Sequence, residues 1–219
     1  MKRTLMYNIG NSLGKFFLCC NGGISTVGIE NIPDNQAVII MPNHVSYLDP
    51  SAVGAYCKRQ VFFMAKSELF KYPILGDLLR SVGAFPVSRG TADRASIKKA
   101  FELLKDNRVL NIFPEGRRSE DGNLNSIQKG AVMIALKSKA VVIPVAVIGS
   151  EKCLSAQKKG FHRCKVKVVY GKPLVTEDLL DLDSNEAFAV FSIRWTEAVN
   201  KMKETGRPVD EKLINNCEL

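Results

Sequence analysis

The sequence predicts a single α/β domain with a largely parallel or mixed central sheet, flanking helices and an amphipathic helix at the N-terminus. Short apolar segments alternate along the chain with segments of helical periodicity. Two of these segments, 109–113 and 141–149, are apolar almost throughout, which is typical of strands covered on both faces. A chain of 219 residues fits one such domain with a sizeable core.

The first predicted element is an amphipathic helix over residues 3–20. Its apolar side chains recur at spacings of three and four residues and are Leu5, Met6, Ile9, Leu13, Phe16 and Phe17. Such a helix either lies in a membrane surface, with Lys2, Arg3 and Lys15 near lipid phosphates, or packs on the core of its own protein. From periodicity alone, the sequence favours packing on the core.

The rest of the chain alternates between predicted strands and helices. Strands are expected over 25–29, 37–42, 61–65, 84–88, 109–113, 141–149 and 165–170. Helices are expected over 50–58, 74–82, 91–106, 128–138 and 177–204. Because the sequence contains no repeat and no convincing linker, we divide it into an N-terminal helix (1–22), one main domain (23–205) and a C-terminal tail (206–219).

The chain carries a formal charge of +9, which predicts a negatively charged partner. Candidates are anionic lipid, a phosphorylated substrate, an acidic carrier protein and nucleic acid. The most basic segment runs from Lys152 to Lys167 and either docks an acidic partner or keeps a loop solvated. Its single aromatic residue, Phe161, makes no stacking platform, and no helix-turn-helix pattern is evident, so we do not expect nucleic acid as a partner.

The cysteines and the apolar segments bear on the compartment. Cys153, His162 and Cys164 match no common zinc spacing, and no CxxC pair is present, so we expect free thiols in a reducing compartment and no metal site. No segment reaches the roughly 18–20 apolar residues of a spanning helix, and the N-terminus makes a poor signal peptide. From these features we expect a cytoplasmic protein.

Chemically distinctive residues follow the predicted strand 37–42, beginning with Asn43 and His44. A helix does not place residues five apart on one face, but a turn at a strand end folds Asp49 back onto the His44 imidazole. This is the pairing of a general base with the carboxylate that orients it. The alternative is structural, since Asp49 before Pro50 is a good N-cap for the next helix. No serine or cysteine nucleophile is obvious beside the pair, so the hydroxyl to be activated would belong to the substrate.

Basic side chains follow three other predicted strands. They are Lys66 after 61–65, Arg89 after 84–88, and Arg117 and Arg118 after 109–113. Because ligands of open α/β sheets bind beyond the carboxyl ends of the strands, these cations are expected near His44, where they would bind phosphate. Glu115 among them would hold an arginine or accept from a substrate hydroxyl. Each cation alone also suits a solvated loop, but their coincidence at successive strand ends favours an anion site.

Several segments resemble the motifs of the glycerolipid acyltransferases. Residues 43–49, Asn-His-Val-Ser-Tyr-Leu-Asp, resemble the HxxxxD motif, and residues 113–119, Phe-Pro-Glu-Gly-Arg-Arg-Ser, resemble FPEGTRS. Residues 83–90 and 142–146 resemble the two remaining motifs, a strand ending in an arginine and an apolar strand with a proline. The match runs in order from about Gly28 to about Gly149 and is most similar to the bacterial 1-acyl-sn-glycerol-3-phosphate O-acyltransferases.

This resemblance implies a reaction. His44 would act as general base on the free 2-hydroxyl of lysophosphatidate, and Asp49 would fix the tautomer of the imidazole. The alkoxide would attack an acyl thioester of coenzyme A or acyl carrier protein directly, without an acyl-enzyme, to give phosphatidate. No bound cofactor is implied. The expected partners are the lysophospholipid, the membrane surface and an acyl carrier protein. The N-terminal helix becomes a membrane-contacting helix of a peripheral or monotopic protein on the cytoplasmic side of the cell membrane.

The resemblance also assigns roles in binding. Lys66, Arg89 and Arg118 would hold the substrate phosphate, with Glu115 organising the site and backbone N–H groups near Gly116 facing the thioester oxyanion. Arg117 stands where the family usually has threonine. Together with Asn43 and Ser46, it is a candidate for headgroup specificity. Two alternatives remain open, namely acylation of another lysolipid and a non-catalytic lipid-binding protein of the same fold.

Overall fold

The computed structural model of the protein describes residues 3–88, 93–154 and 162–209. Seven strands form one sheet in the order β1-β7-β6-β2-β5-β3-β4. The strands are β1 Ile24–Val27, β2 Val38–Pro42, β3 Val61–Lys66, β4 Ala84–Val87, β5 Val109–Asn111, β6 Val141–Ile148 and β7 Val166–Tyr170. The predicted α/β class with a mostly parallel sheet is confirmed, and each strand lies where the apolar runs place it.

The helices follow the predicted positions, with two exceptions. They are α1 Leu5–Cys20, α2 Asp49–Gly54, α3 Pro73–Ser81, α4 Arg94–Lys105, α5 Lys129–Ser138 and α6 Ser184–Thr205. The predicted helix 177–204 is wrong at its start, because the Asp183 carboxylate accepts from the backbone N–H groups of Asn185 and Glu186 and so begins α6 at Ser184. Helix α2 is shorter than predicted and ends at Gly54.

The direction of the strands determines where the functional residues meet. Strands β6, β2, β5, β3 and β4 are mutually parallel, whereas β7 is antiparallel to β6, and β1 is parallel to β7. The carboxyl ends of β2 to β6 therefore share one edge of the sheet, which we call the carboxyl edge. A ligand at this edge can contact residues that follow five different strands.

Both faces of the sheet are covered, as the apolar strands predicted. Along β2, Ile39 and Met41 face a core shared with α4, α5 and α6, while Val38 and Ile40 face a core shared with α1 and α2. This alternation follows from the two-residue period of a strand. The Trp195 indole of α6 is fully buried and donates to the Met41 carbonyl at 3.0 Å, which ties α6 to the central strand.

The prediction of free thiols is wrong for one pair, because Cys153 and Cys164 form a disulfide. Cys153 follows β6 and Cys164 precedes β7. Since these two strands are antiparallel neighbours, the end of β6 lies beside the start of β7. The Cα atoms of Cys153 and Cys164 are therefore 5.4 Å apart, a distance that a disulfide can span. Cys19 and Cys20 are exposed free thiols and Cys57 is a buried one, while Cys217 lies outside the described residues.

Helix α1 is amphipathic, and the larger part of its apolar surface faces outward. Tyr7 and Leu18 are buried against the domain, and the Tyr7 hydroxyl accepts from the backbone N–H of Val61 at 3.2 Å. The six side chains predicted to contact a membrane are all exposed: Leu5, Met6, Ile9, Leu13, Phe16 and Phe17. None of the helices in the described part of the chain has the length and apolar character needed to cross a membrane.

Candidate active site

The turn that follows β2 is anchored by Asn43. Its side-chain amide donates to the Val147 carbonyl at 3.1 Å, and its carbonyl oxygen accepts from the Val147 backbone N–H at 2.7 Å. Strand β2 ends at Pro42, and beyond it the Asn43 side chain makes the pair of hydrogen bonds to β6 that the N–H and C=O groups of a strand residue would make. Because Asn43 is fully buried, this pairing fixes the point at which His44 leaves the sheet.

His44 and Asp49 form the predicted pair. The His44 Nδ1 atom lies 2.8 Å from Asp49 Oδ2. The carboxylate only accepts, so we assign the hydrogen to Nδ1, which leaves Nε2 of the neutral ring with a free lone pair. The Phe113 ring stacks on the imidazole, with centroids 4.0 Å apart. His44 retains 9% of its surface, whereas Asp49 is fully buried, so the pair presents only the imidazole to a substrate.

The Asp49 carboxylate is the centre of a larger network. Its Oδ2 atom also accepts from the backbone N–H groups of Val45 and Ser46, each at 2.8 Å. Its Oδ1 atom accepts from the Ser150 hydroxyl at 2.6 Å. Hydrogen bonds from both sides of the carboxylate thus hold it in one orientation against His44.

The prediction that Asp49 is the N-cap of α2 is wrong. Asp49 is the first residue of the helix, and Leu48 occupies the cap position without a side-chain hydrogen bond. The carboxylate turns back towards residues 44–46 instead of forward along the helix, because the backbone N–H groups of that turn converge on it. The orientation of Asp49 thus comes from the His44 turn and from Ser150, and not from the helix that Asp49 begins.

Glu115 joins the His44 turn to the loop after β5. Its Oε1 atom accepts from the His44 backbone N–H at 2.8 Å, and its Oε2 atom accepts from the backbone and side-chain N–H groups of Asn125 at 2.8 and 2.9 Å. Burial raises the pKa of Glu115 above its ordinary value, although these hydrogen bonds oppose the rise. Both carboxylate oxygens are thus occupied by N–H donors, and Glu115 acts on the geometry of the His44 turn.

The predicted cations occupy different environments. The Arg118 guanidinium lies 3.5 Å from the centroid of the Tyr47 ring, and its buried Nη1 atom has no hydrogen-bond partner among the described residues. Arg117 is exposed, and its Nη2 atom lies 3.4 Å from Asn125 Oδ1. Lys66 is the last residue of β3 and forms an ion pair with Glu68 at 3.0 Å. Arg89 lies outside the described residues.

Two further predicted residues have structural partners. The Ser46 hydroxyl donates to the Leu154 carbonyl at 2.9 Å, which attaches the His44 turn to the segment after β6. Gly116 has a φ of 70°, a conformation that glycine adopts readily, and its N–H donates to the Phe113 carbonyl at 3.1 Å. This N–H belongs to a turn and is not free for an oxyanion, so the oxyanion role predicted for backbone N–H groups near Gly116 does not fall to the N–H of Gly116 itself.

Sequence reasoning missed Ser150, Asn125 and the ring of Tyr47. Ser150 had a usable signal, because it follows β6 at the same carboxyl edge from which His44 was identified. Asn125 had none, since it reaches Glu115 from a loop with no recognisable pattern. In the described ranges, no three His, Cys, Asp or Glu side chains lie close enough together to hold a metal ion.

Comparison with known proteins places this geometry in a family. The family model described as Acyltransferase matches residues 23–148. The chain is 34% identical over 209 residues to the 1-acyl-sn-glycerol-3-phosphate acyltransferase of Bacillus subtilis, covering 94% of this chain and all of that protein. It is 29% identical over 199 residues to the enzyme of the same name from Streptococcus pneumoniae, covering 89% of this chain and 72% of that protein.

A solved structure has the same fold. The 1-acyl-sn-glycerophosphate acyltransferase PlsC of Thermotoga maritima superposes with a TM-score of 0.74 at 25% sequence identity, covering 90% of this chain and 78% of that chain. The matched family segment includes His44, Asp49 and Glu115, the residues on which the buried network depends. The chain therefore belongs to the acyltransferase family, whose members include the 1-acyl-sn-glycerol-3-phosphate acyltransferases.

Proposed function

We propose that this protein transfers a fatty acyl group from an acyl thioester to the free 2-hydroxyl of lysophosphatidate and so produces phosphatidate for phospholipid synthesis. The buried pair of His44 and Asp49, joined at 2.8 Å, carries the proposal. The name and full-length similarity of the Bacillus subtilis relative support lysophosphatidate as the acceptor. The reaction needs a base for a hydroxyl and no protein nucleophile, which suits a site built around an imidazole.

The geometry suggests how the proton moves. The Nε2 atom of His44 takes the proton of the substrate hydroxyl as the oxygen attacks the thioester carbonyl. The resulting imidazolium is stabilised by Asp49, whose charge is held by Ser150 and two backbone N–H groups. When the tetrahedral intermediate collapses, the carbon–sulfur bond breaks and His44 returns the proton to the leaving sulfur. An ester and a thiol are formed, and His44 regains its neutral state.

Arg118 is the best-supported ligand for the substrate phosphate. Its buried Nη1 atom lacks a partner among the described residues, and its guanidinium is held by stacking on Tyr47 beside the His44 turn. A guanidinium oriented in this way suits phosphate, which it can bind with two parallel hydrogen bonds. Lys66, the last residue of β3, and Arg89, which comes after β4 in the sequence, are proposed as further phosphate ligands. Arg117 is proposed as a residue that modulates the headgroup accepted.

The proposed acyl donor is a thioester of coenzyme A or of acyl carrier protein. Both donors are anionic, and the net charge of +9 on the chain favours their approach electrostatically. The exposed apolar side chains of α1, which include Leu5, Leu13 and Phe16, are proposed to lie in the membrane surface from which the lysolipid is taken. The protein would then work as a peripheral enzyme on the cytoplasmic side of the membrane.

The test is acyl transfer by His44→Ala, with His162→Ala as the matched control. His162 is exposed and lies outside the network of His44. With a fixed acyl donor and product lipids identified by mass spectrometry, the loss of the base should lower the rate by at least about a hundredfold. The control variant should keep the wild-type rate. Near-normal phosphatidate formation by His44→Ala would disprove the proposed role of the imidazole.

A panel of acceptors distinguishes the proposal from its alternatives. Lysophosphatidate is compared with neutral and zwitterionic lysolipids under the same conditions. Preference for a lysolipid other than lysophosphatidate would mean that the protein acylates that lysolipid instead, as in lysolipid recycling. Arg117 would then be the candidate residue for the altered headgroup specificity. Failure of the wild-type protein to acylate any acceptor would favour a non-catalytic lipid-binding protein.

A further inference from the structure

Helix α3 has an unusual arrangement, since its apolar side chains face away from the protein. Ile74 is 89% exposed, Leu78 is 53% exposed and Leu75 is 38% exposed. These three residues lie on one face of the helix, because positions three and four apart are neighbours on a helix surface. The only buried residue of α3 is Gly76. A surface helix of a globular domain normally directs its apolar stripe inward, so this face is built to contact something else.

Gly76 lies on the side of α3 that packs closely against the protein, while the apolar face of the helix points outward. A Cβ atom on this residue would lie 2.9 Å from the carbonyl oxygen of Phe70. The backbone of α3 therefore packs directly on the turn Ser67–Lys71 that precedes it. The same turn contributes Leu69, which is partly exposed, and Tyr72 follows it with its ring exposed. We call these five residues the α3 face: Leu69, Tyr72, Ile74, Leu75 and Leu78.

The α3 face adjoins the apolar surface of α1. A Cβ atom on Gly10 of α1 would lie 2.6 Å from Cγ1 of Val82, the residue at the end of α3, so the two helices meet at this point. Met6 and Leu13 lie four residues before and three residues after Gly10, on the side of α1 that turns towards α3, and both are exposed. The two apolar surfaces therefore lie side by side on the outside of the molecule.

The surroundings of the α3 face favour a lipid bilayer as its partner. Lys71 is exposed at its border, and Arg80 of α3 is also exposed and pairs with Asp77 at 3.2 Å. Cations around an apolar surface are attracted to anionic lipid headgroups, and an exposed tyrosine is typical of the headgroup level. The face also begins where β3 ends, at the same carboxyl edge as His44.

We propose that the α3 face is a second membrane contact, which lies beside α1 in the boundary between headgroups and acyl chains. This inference rests on the proposed membrane contact of α1 and on a lipid acceptor, and it extends both. Two neighbouring contacts restrict the orientation of a protein on a surface, whereas a single helix leaves the protein free to rotate about the helix axis. With both contacts in place, the carboxyl edge of the sheet is held against the lipid that supplies the substrate.

The first test is vesicle binding by the full chain carrying Ile74→Ser and Leu78→Ser. The matched control carries Leu180→Ser and Leu182→Ser, which replace two leucines that are 52% and 40% exposed and belong to neither α1 nor α3. Binding is measured by sedimentation with vesicles of phosphatidylglycerol and phosphatidylcholine in equal parts. Loss of two inserted aliphatic side chains should weaken binding of the α3 variant at least about tenfold. The control should bind as the wild type does.

The second test separates membrane docking from catalysis. Acyl transfer is measured once with lysophosphatidate embedded in the vesicles and once with a short-chain, water-soluble lysophosphatidate. The α3 variant should lose activity on the embedded substrate only, and its activity on the soluble one demonstrates that it is folded. If the wild type acylates neither substrate, the proposed function fails, whereas the vesicle-binding result still decides the role of the α3 face.

Two results would overturn the inference. The first is that the α3 variant binds vesicles as tightly as the wild type does. The second is a wild-type chain that is dimeric in lipid-free buffer and becomes monomeric when Ile74 and Leu78 are replaced. In that case the α3 face joins two copies of the protein, and light scattering detects the change in mass.

Discussion

Asp49 holds the His44 imidazole on which the proposed reaction depends. It is fully buried, and its two oxygens accept four hydrogen bonds, from the His44 ring, from two backbone N–H groups and from the Ser150 hydroxyl. A buried carboxylate is costly unless it is fully hydrogen-bonded. The hydrogen bonds that offset the desolvation cost of burying this carboxylate also hold it in the orientation that His44 requires.

We expect Ser150→Ala to impair catalysis through Asp49. The variant leaves Asp49 Oδ1 without its 2.6 Å donor, and a hydrogen bond to a charged group contributes about 1.5–3 kcal/mol. Steady-state kinetics should therefore show a kcat lowered at least about tenfold, with an unchanged KM for lysophosphatidate. Ser150→Thr, which retains the hydroxyl, should recover most of the rate.

The control for Ser150 is Ser192→Ala, which removes a hydroxyl that donates to the Phe188 carbonyl within α6, far from the site. Its kcat should equal that of the wild type. A fall in stability without a change in kcat for Ser150→Ala would mean that Ser150 only supports the fold. A higher KM at unchanged kcat would instead place Ser150 in substrate binding.

We expect Arg118→Ala to discriminate between phosphorylated and unphosphorylated acceptors. A charged hydrogen bond to phosphate contributes about 1.5–3 kcal/mol, so kcat/KM for lysophosphatidate should fall by about ten- to a hundredfold. The value for a monoacylglycerol should change little. Arg207→Ala, which removes an exposed arginine near the end of α6, is the control and should leave both values unchanged. Equal losses with both acceptors would contradict a phosphate role for Arg118.

At the scale of elements, the strands were predicted better than the helix ends. Strands β2 and β6 are continuous apolar segments. A short continuous apolar segment of this kind is typical of a strand that is buried on both faces of a sheet. Helix ends depend on individual side-chain hydrogen bonds, as the Asp183 cap of α6 shows. The unusual orientation of α3 was also missed, because periodicity reveals that a helix has an apolar face and not which way that face points.

Helix α4 offers a test of a single cap. The Asp93 carboxylate accepts from the backbone N–H groups of Ser96 and Ser88, and these hydrogen bonds lower the pKa of Asp93. Asp93→Ala should reduce the free energy of unfolding by about 1 kcal/mol at neutral pH. Urea denaturation measures the change, and Asp106→Ala at the other end of α4 is the control, which should not destabilise the protein.

The sign of the pH dependence follows from the lowered pKa. The ionised form of Asp93 is favoured in the folded protein, so the contribution of the cap is fully present above the unfolded pKa of about 3.9. It is lost as the pH falls through the folded pKa. The stability difference between Asp93→Ala and the wild type should therefore disappear in acid. A difference that grows in acid would contradict the role of the ionised carboxylate.

At the scale of the whole molecule, the sheet brings together residues that lie far apart in the sequence. His44 and Asp49 could be paired from the sequence because they share one turn. Ser150 and Glu115 join them only because β6 and β5 are the two neighbours of β2 in the sheet. The strand order is a property of the complete fold. This explains why the pair of His44 and Asp49 was predicted, whereas the hydrogen bonds that Glu115 and Ser150 make to it were not.

The disulfide of Cys153 and Cys164 provides a global test of stability. It closes a loop between residues separated by 11 positions, which corresponds to about 2–3 kcal/mol from the restricted unfolded chain. Urea denaturation of Cys153→Ala with Cys164→Ala should show this loss relative to the oxidised wild type. Cys19→Ser, which replaces an exposed free thiol, should show none. Equal stability of the oxidised wild type and the double variant would contradict a stabilising bridge.

The hydrogen bond between Ser150 and Asp49 has a consequence for the order of events in folding. It joins residues 101 positions apart, and the bond from His44 to Glu115 spans 71 positions. Contacts between residues so distant in sequence require long loops to close and form slowly compared with local helices. During refolding, helical circular dichroism should therefore recover before acyl transfer does. The recovery of enzymatic activity would then report the rate of the last folding step, in which β6 docks beside β2.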